Sequence, residues 1–594
     1  MSHPWHPDIS ASSLRSLSPS QGQTQRGKTQ NHRQPQIGRL QEMSGPLSAP
    51  GPALVIEKAR ASLDTKAQTK PQELDRKSQK PNGSVLIGIT NRKEKDFSAW
   101  YLEVIQKADF LDYSDIPGIF IMAPASTAVW EAVRNFLDPR IKEMKVRNCL
   151  FPLVIAEKRL ATEKEHLEGF AAEVAWVTHG GDHQLQERIA LRPTSETAMY
   201  PYFAKKIRSH RDLPLKLNQW NSVVRWEMKH AIPFLRSREF YWQEGHTAHL
   251  THELAAEEVL QVLDHYAAVY RDLLAIPVIK GTKTDNEKFA GAEYTTTVEG
   301  FIPAVGRGIQ AGTSHCLGQH FSKMFDIKVQ DPSSSEGAKD PLYVWQNSWG
   351  FSTRSIGVMI MVHGDDKGLV LPPRVAEIQV IIIPVGLTAK VTPEIHEKLY
   401  KEVHEMQDEL LEAGIRVEVD SRDNYAVGFK FNDWELKGVP LRIEFGPKDQ
   451  AKKQVVTVRR DTGIKTAMAI ADLAEQVSAL LEVIQGDMFK KADDEYRSRR
   501  VVVSDWHDFI ANLNDRKVCL IRHCLGGACE DEIKRLSARV AEAGEVEDAR
   551  APNMGAKSLC VPFEQPDDLG EGQHCINPYC KMLATKWVMY GRSY

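Results

Sequence analysis

The sequence predicts three folded regions in series: an α+β region built on an antiparallel sheet, an α/β region, and a small cysteine-rich α/β region at the C-terminus. Three observations carry this. The strand-like runs "VAWVTH", "RIALRP", "SVVRWEM", "EFYWQEG" and "EYTTTVE" follow one another without a helix after each, which favours antiparallel pairing. Near residue 375 the pattern changes to a continuous apolar run, "IQVIIIPV", then a helical stretch, then "IRVEVD", which reads as a βαβ unit. Of eight cysteines only Cys149 and Cys316 precede residue 518, and Cys519, Cys524, Cys529, Cys560, Cys575 and Cys580 follow it.

Each region has its own local logic. In "STAVWEAVRNFLDPRIKEM" the residues Val129, Trp130, Val133 and Leu137 form one apolar helical face. "ELAAEEVLQVLDHYAAVYRDLLAIP" keeps the 3.6 period longest and stops before Pro277. "TPEIHEKLYKEVHEMQDELLEAG" has Thr392 as N-cap, Pro393 in the first turn and Gly414 as its stop. Residues 1–80, with "SPSQGQTQRGKTQNHRQPQ", are rich in Ser, Gln and Pro and poor in aliphatics, so a disordered extension is expected there; an organellar transit peptide stays open. The expected domains are then 81–374, 375–490 and 491–594.

Composition excludes little. The 594 residues are 42% hydrophobic and 26% charged, with a net charge of −3, which carries no nucleic-acid signature but leaves room for a local basic patch. No apolar run reaches about 18 residues, so no membrane span is expected.

The chemistry concentrates in three places. In "VVRWEMKHAIPFLRSREFYWQEG" Arg225 is expected on a strand, pointing away from Val224 and Trp226 with Glu227 beside it; a loop follows, then Arg236 on the other arm of the hairpin and Phe240 on the return strand. Two arginines with a ring between them suit a nucleotide, the cations on phosphates and the ring on the base. An internal ion pair of Arg225 with Glu227 or Glu239 is the alternative. "QAGTSHCLGQHFS" offers Gln310, Thr313 and His315, and Arg354 stands between Gly350 and Gly357 at the entry to an apolar helix, a phosphate-binding arrangement. Separately, Cys524-x₄-Cys529 and Cys575-x₄-Cys580 make two pairs suited to a tetrahedral zinc site.

Together these pieces resemble the signature motifs of class II aminoacyl-tRNA synthetases. "NCLFPLVIAE" with Pro152 resembles motif 1, "VRWE" to "RSREF" motif 2, and "GFSTRSIGVMI" motif 3. "RPTSET", "LNQWNSVVRWE", "FYWQEGHTA", "GTSH", "LPPRVA" and "GRSY" are similar to the prolyl-tRNA synthetases of the eukaryotic and archaeal type, from about residue 85 to the end.

The resemblance implies a class II synthetase catalytic fold and a proline–tRNA ligase that uses ATP and Mg²⁺. Thr194 and Glu196 would accept the secondary ammonium of L-proline, and Phe170, Trp242 and His315 would wall its ring. Arg225 would hold the carboxylate and α-phosphate, Arg236 and Arg354 the γ-phosphate. Phe240 would stack on adenine, Glu227 would contact its amino group, and Gln310 and Thr313 would sit near ribose or Mg²⁺. Ser237 and Ser352 complete the ATP set, and Arg225 and Arg354 are the catalytic pair. Residues 375–490 would read the anticodon of tRNAPro, with Arg459 and Arg460 either contacting it or ending a solvated strand. The C-terminal region would bind Zn²⁺ through Cys524, Cys529, Cys575 and Cys580, with Cys519 and Cys560 as possible substitutes. Tyr594 would look back toward the active site. A cytoplasmic homodimer is expected. The alternative, a catalytically inactive synthetase-like tRNA-binding protein, sits poorly with the presence of all three arginines, and a threonyl-type pocket with the lack of a Cys/His/His triad.

Overall fold

The computed structural model describes residues 88–160, 174–226, 231–332, 341–387, 391–538, 554–566, 569–570 and 572–594. The extension expected over residues 1–80 lies outside them, as do Phe170 and Glu227.

An eleven-stranded sheet organises the described residues. Its middle runs Ile279–Thr282, Tyr294–Ile302, Arg307–Gly318, Trp345–Ser352, Glu239–His249 and Leu215–Val224, each antiparallel to the next. Arg147–Asn148 closes one end in parallel. The helix Pro124–Glu143 buries Val129, Val133, Leu137 and Ile141, the face read from its spacing with Trp130 at its margin. The helix His252–Ala268 takes Thr251 as N-cap and crosses the back of the sheet on Val259, Val262, Leu263 and Tyr266. Its Glu258 is a buried anchor: the carboxylate accepts from His249 Nε2 at 2.9 Å and Asn347 Nδ2 at 2.9 Å and pairs with Lys216 at 2.9 Å. Burial opposes that charge, and the bonds from His249, Lys216 and Thr247 outweigh it, holding the carboxyl down to about 2.

The expected hairpin forms, with Val223 opposite Phe240 and Val224 opposite Glu239. It differs from expectation at Arg225, which lies just past the strand end: its N–H donates to Arg238 O at 2.7 Å, and Trp226 is turned to solvent.

The α/β region is a five-stranded sheet in which Val380–Pro384 pairs in parallel with both Val417–Val419 and Leu441–Phe445. The helix Pro393–Glu412 covers it, and Gly414 reverses the chain at φ 78°. The helix Leu473–Ser498 begins in this region's core through Leu473, Val477 and Leu481 and ends against the main sheet, where Tyr496 stacks on Phe301 at 5.4 Å. It runs unbroken past residue 490. Arg459 and Arg460 are neither free nor a solvated strand end: Arg459 pairs with Asp461 and Asp487, and buried Arg460 pairs with Asp365 of the catalytic half at 2.7 Å.

The C-terminal segment adds its strands to the main sheet. Lys557–Pro562 pairs with Ile279–Thr282, so that edge is covered by backbone hydrogen bonds. Lys586–Ser593 then lies between Lys557–Pro562 and Val518–His523.

Close packing sets one sharp test. A Cβ at Gly245 would stand 2.2 Å from the ring of Trp349, which is buried. Gly245→Ala should therefore cost about 1–3 kcal/mol, read as a lowered urea midpoint; an unchanged midpoint would show that the sheet tolerates the methyl group.

Candidate functional site

The front face of the main sheet carries a cavity of about 310 Å³. Thr194, Glu196, Arg225, Phe240 and Trp242 line one side, and Gln310, Thr313, His315, Ser352 and Arg354 the other. The strand period explains the arrangement. Trp242, Glu244 and His246 alternate inward along one strand, and Thr313 and His315 along another. Glu244 and His246 were legible from that period once Trp242 was chosen. Glu287, Phe289 and Thr295 also line the cavity but come largely from an irregular loop and the strand start after it, where no period points to them. Arg236 is exposed on the hairpin loop, close enough to depress the Arg354 pKa by repulsion. Ser237 is buried in a small neighbouring cavity that shares Phe240.

Beneath the floor lies a buried carboxylate. Glu244 accepts from Ser195 Oγ at 2.5 Å, Gln219 Nε2 at 2.9 Å, Asn221 Nδ2 at 2.8 Å and His246 Nε2 at 3.1 Å. Burial disfavours its charge, and the His246 bond and charge with the Ser195 and Asn221 bonds reverse that, so its pKa falls below the ordinary range. Asn221 Oδ1 accepts from Trp242 Nε1 at 2.7 Å. Gly350 leaves room for the same indole, since a Cβ there would come within 3.2 Å of it. The residues of the turn "RPTSET" divide between two partners. Ser195 serves the buried carboxylate, while the Thr194 hydroxyl donates to Glu196 at the first turn of the helix Glu196–Lys206.

Arg225 sits between two rings, 5.3 Å from Phe240 and 5.5 Å from Trp242, with its Nε donating to Pro193 O at 3.0 Å. Arg354 begins the helix Arg354–His363 and donates to Leu235 O and Gln310 O. Burial lowers its pKa, and Arg225 and Arg236 push the same way, the sign of a cation cluster arranged around an anion.

His315 is neutral. The Thr295 hydroxyl accepts from Phe289 N–H at 3.0 Å and shares a hydrogen bond with His315 Nδ1 at 2.8 Å. Burial, with the charge of His246, holds this imidazole down to about 3.

The cysteines form a second site. Cys529 and Cys575 sulfurs are 3.6 Å apart, and Cys580 and Cys524 sulfurs 3.7 Å. Zn–S bonds of about 2.3 Å put tetrahedral sulfurs about 3.8 Å apart, so each of these two pairs has zinc-like spacing, while the donors that all lie within 4.8 Å of one another are those of His523, Cys524, Cys529 and Cys575. Asn577 Nδ2 and Gly526 N–H donate to Cys529 and Cys524, which stabilises thiolate. His523 also lies within 4.8 Å of three of these sulfurs, but its Nδ1 accepts from Leu525 N–H and its Nε2 faces the Tyr590 hydroxyl. Cys519 and Cys560 are buried in apolar clusters rather than held as substitutes, and burial pushes the Cys519 thiol up to about 12. Tyr594 lies against Arg307, its ring 4.9 Å from the guanidinium.

Comparison with known proteins agrees with this geometry. Three family models match in order: tRNA synthetase class II core domain (G, H, P, S and T) over residues 176–363, anticodon binding domain over 379–480, and prolyl-tRNA synthetase, C-terminal, over 506–594. A putative proline–tRNA ligase of Schizosaccharomyces pombe is 52% identical over 554 residues, 92% of this chain and 76% of the relative. A cytoplasmic proline–tRNA ligase of Arabidopsis thaliana is 50% identical over 86% of this chain and 91% of its own. The crystal structure of prolyl-tRNA synthetase from Cryptosporidium parvum complexed with L-proline and AMP is 45% identical, with a TM-score of 0.76 over 86% of this chain and 100% of that one. The chain belongs to the prolyl-tRNA synthetase family, class II ATP-dependent proline–tRNA ligases of the eukaryotic and archaeal type.

Proposed function

We propose that the cavity on the front of the sheet is where this ligase activates L-proline and charges tRNAPro. The observation that carries the reading is a cavity lined by Arg225 and Arg354, with Arg236 near enough to repel Arg354, together with Thr194, Glu196, Trp242 and neutral His315. The arginines suit a polyphosphate, and Thr194 with Glu196 a small secondary ammonium.

Glu196 and Thr194 take the two N–H groups of proline, and Trp242 and His315 wall its ring, with Phe289 backing His315 at 4.9 Å. Arg225 turns from its place between two rings to hold the proline carboxylate against the α-phosphate of ATP. A carboxylate oxygen attacks the α-phosphorus in line, the bond to the bridging oxygen breaks, and pyrophosphate leaves with its charge spread over Arg236 and Arg354. The 3′-terminal ribose hydroxyl of tRNA then attacks the anhydride carbonyl and AMP departs. Positioning and fixed charge supply the acceleration, with no side chain needed as a general base. Phe240 stacks on adenine, and Ser237 and Ser352 complete the ATP pocket. Mg²⁺ neutralises phosphate charge when bound, and Gln310 and Thr313 are the side-chain oxygens on that wall that would hold it or the ribose. Glu227 and Phe170, outside the described residues, stay assigned to adenine and the proline wall.

The α/β region reads the tRNA anticodon, Zn²⁺ sits among Cys524, Cys529, Cys575 and Cys580, and the protein is a cytoplasmic homodimer. No helix among the described residues is long and apolar enough to cross a membrane.

Three results test this. ATP–pyrophosphate exchange should depend on proline, and Arg225→Ala or Arg354→Ala should lower it by about 10²–10³-fold; exchange with another amino acid only would overturn the pocket assignment. The His315 imidazole, labelled with ¹⁵N, should stay neutral at about pH 5, where a free histidine is charged. Its folded pKa lies below its unfolded one, so the stability it contributes is present above about 6.5 and is lost as pH falls from there toward 3. A signal titrating near 6.5 would refute that. Metal analysis should find zinc lost on Cys580→Ser and kept on His523→Gln; the reverse would replace Cys580 with His523.

A further inference from the structure

We propose that His252, Glu293 and Cys316 form a second metal site, separate from the four-cysteine cluster, that takes a zinc-class divalent ion. His252 Nε2 lies 3.4 Å from Glu293 Oε1, and Cys316 Sγ lies 4.0 Å from Glu293 Oε2. All three donor atoms fall within 4.8 Å of one another. His252 Nε2 is buried and makes no hydrogen bond, an unsatisfied donor or acceptor aimed into the cluster.

Three different elements supply the ligands, so the grouping is a product of the fold. His252 opens the helix His252–Ala268, and Trp345 holds its ring edge-on at 4.8 Å. Glu293 ends the loop before the strand Tyr294–Ile302, and its own N–H donates to Cys316 O at 2.9 Å. Cys316 is on the strand Arg307–Gly318, one residue after His315, and so points to the other face of the sheet from the cavity. Tyr294 lies directly opposite Cys316 across the strand pair.

The donor set selects the ion. One thiolate, one imidazole and one carboxylate are soft enough for zinc and unsuited to Mg²⁺ or Ca²⁺. The thiolate and carboxylate balance the charge of a divalent cation. Zinc bonds of about 2.0–2.3 Å need ligand atoms roughly 3.3–3.7 Å apart, so the cluster has to close by about 1 Å. The Glu293 side chain is 45% exposed and can swing to do so, while Cys316 is wholly buried. The soft end is therefore buried and the hard end reaches solvent. The ion would clamp the loop carrying Glu287 and Phe289 to the strand carrying His315.

The test uses the full chain with its four-cysteine cluster already loaded with zinc, titrated with Co²⁺. One further equivalent should bind and give thiolate-to-cobalt charge-transfer absorption, and added Zn²⁺ should remove it. Cys316→Ser should abolish the absorption, and the surface variant Glu293→Gln should weaken Co²⁺ binding by about tenfold or more. Glu293→Gln guards against a core cysteine variant that fails to fold. No thiolate–cobalt absorption in the zinc-loaded chain, or absorption unchanged in both variants, overturns the proposal.

Discussion

The active-site half depends on one buried charge, the carboxylate of Glu244. An ionised group wholly removed from water is tolerated only when its lone pairs are satisfied. Here Ser195, Gln219, Asn221 and His246 satisfy them, and each donor comes from a part of the floor that has to be held still. Ser195 fixes the turn that presents Thr194 and Glu196. Asn221 passes the constraint to the Trp242 indole. His246 passes it to the Tyr200 hydroxyl at 3.0 Å, and Tyr200 packs in the core of the helix that Glu196 begins. A hydrophobic residue at this position would pack, but it would leave four donors unpaired and the amino-acid pocket without a fixed wall.

The opposite end of the cavity is built on the reverse principle. Arg354 is buried among backbone carbonyls, with Arg225 and Arg236 near enough to depress its pKa. Carbonyl dipoles hold a guanidinium in place without cancelling its charge. Arg225 rests against Phe240 and Trp242 in cation–π contact. On the proposed reading, a polyphosphate entering this space would relieve the mutual repulsion of these cations. One end is thus fully satisfied before substrate arrives, and the other is arranged so that the substrate completes it.

This contrast also explains what could be read in the sequence. The arginines, Phe240 and Trp242 were legible because charged and aromatic residues at strand spacing stand out against an apolar pattern. The antiparallel core and the βαβ unit were legible for the same reason of period. The period set by Trp242 puts Glu244 on the cavity face, but its role as a buried charge rests on Ser195, Gln219 and Asn221 from two other segments and on His246 from its own strand. The strand end at Val224 was misplaced by one or two residues, since the apolar alternation continues into Trp226 although the backbone pairing does not. Arg459 and Arg460 read as a basic strand end; Arg459 pairs with nearby Asp461 and with Asp487 on the following helix, while Asp365, the partner of Arg460, is remote in sequence and is brought to it by the docking of the α/β region on the catalytic half. Phe289 and Thr295 come from a loop and a strand start, where no periodicity exists to be read.

The same remoteness holds at the C-terminus, where a segment expected to stand as a separate domain extends the catalytic sheet. The strand Ile279–Thr282 would be an open edge without Lys557–Pro562. Just beyond it Lys283 is buried, bonded both to Glu299 at 2.7 Å and to Leu559 O at 2.7 Å. Thr284 joins Ser558 and Glu530 in a further buried polar contact. Removing the C-terminal segment would therefore expose an edge and leave Lys283 and Glu299 in contact with solvent on one side only. Glu299 lies close enough to Arg354 to raise its pKa against the neighbouring arginines. With zinc bound as proposed, the cysteines would tie together the loops at the ends of Val518–His523 and Lys586–Ser593, the strands that complete this sheet.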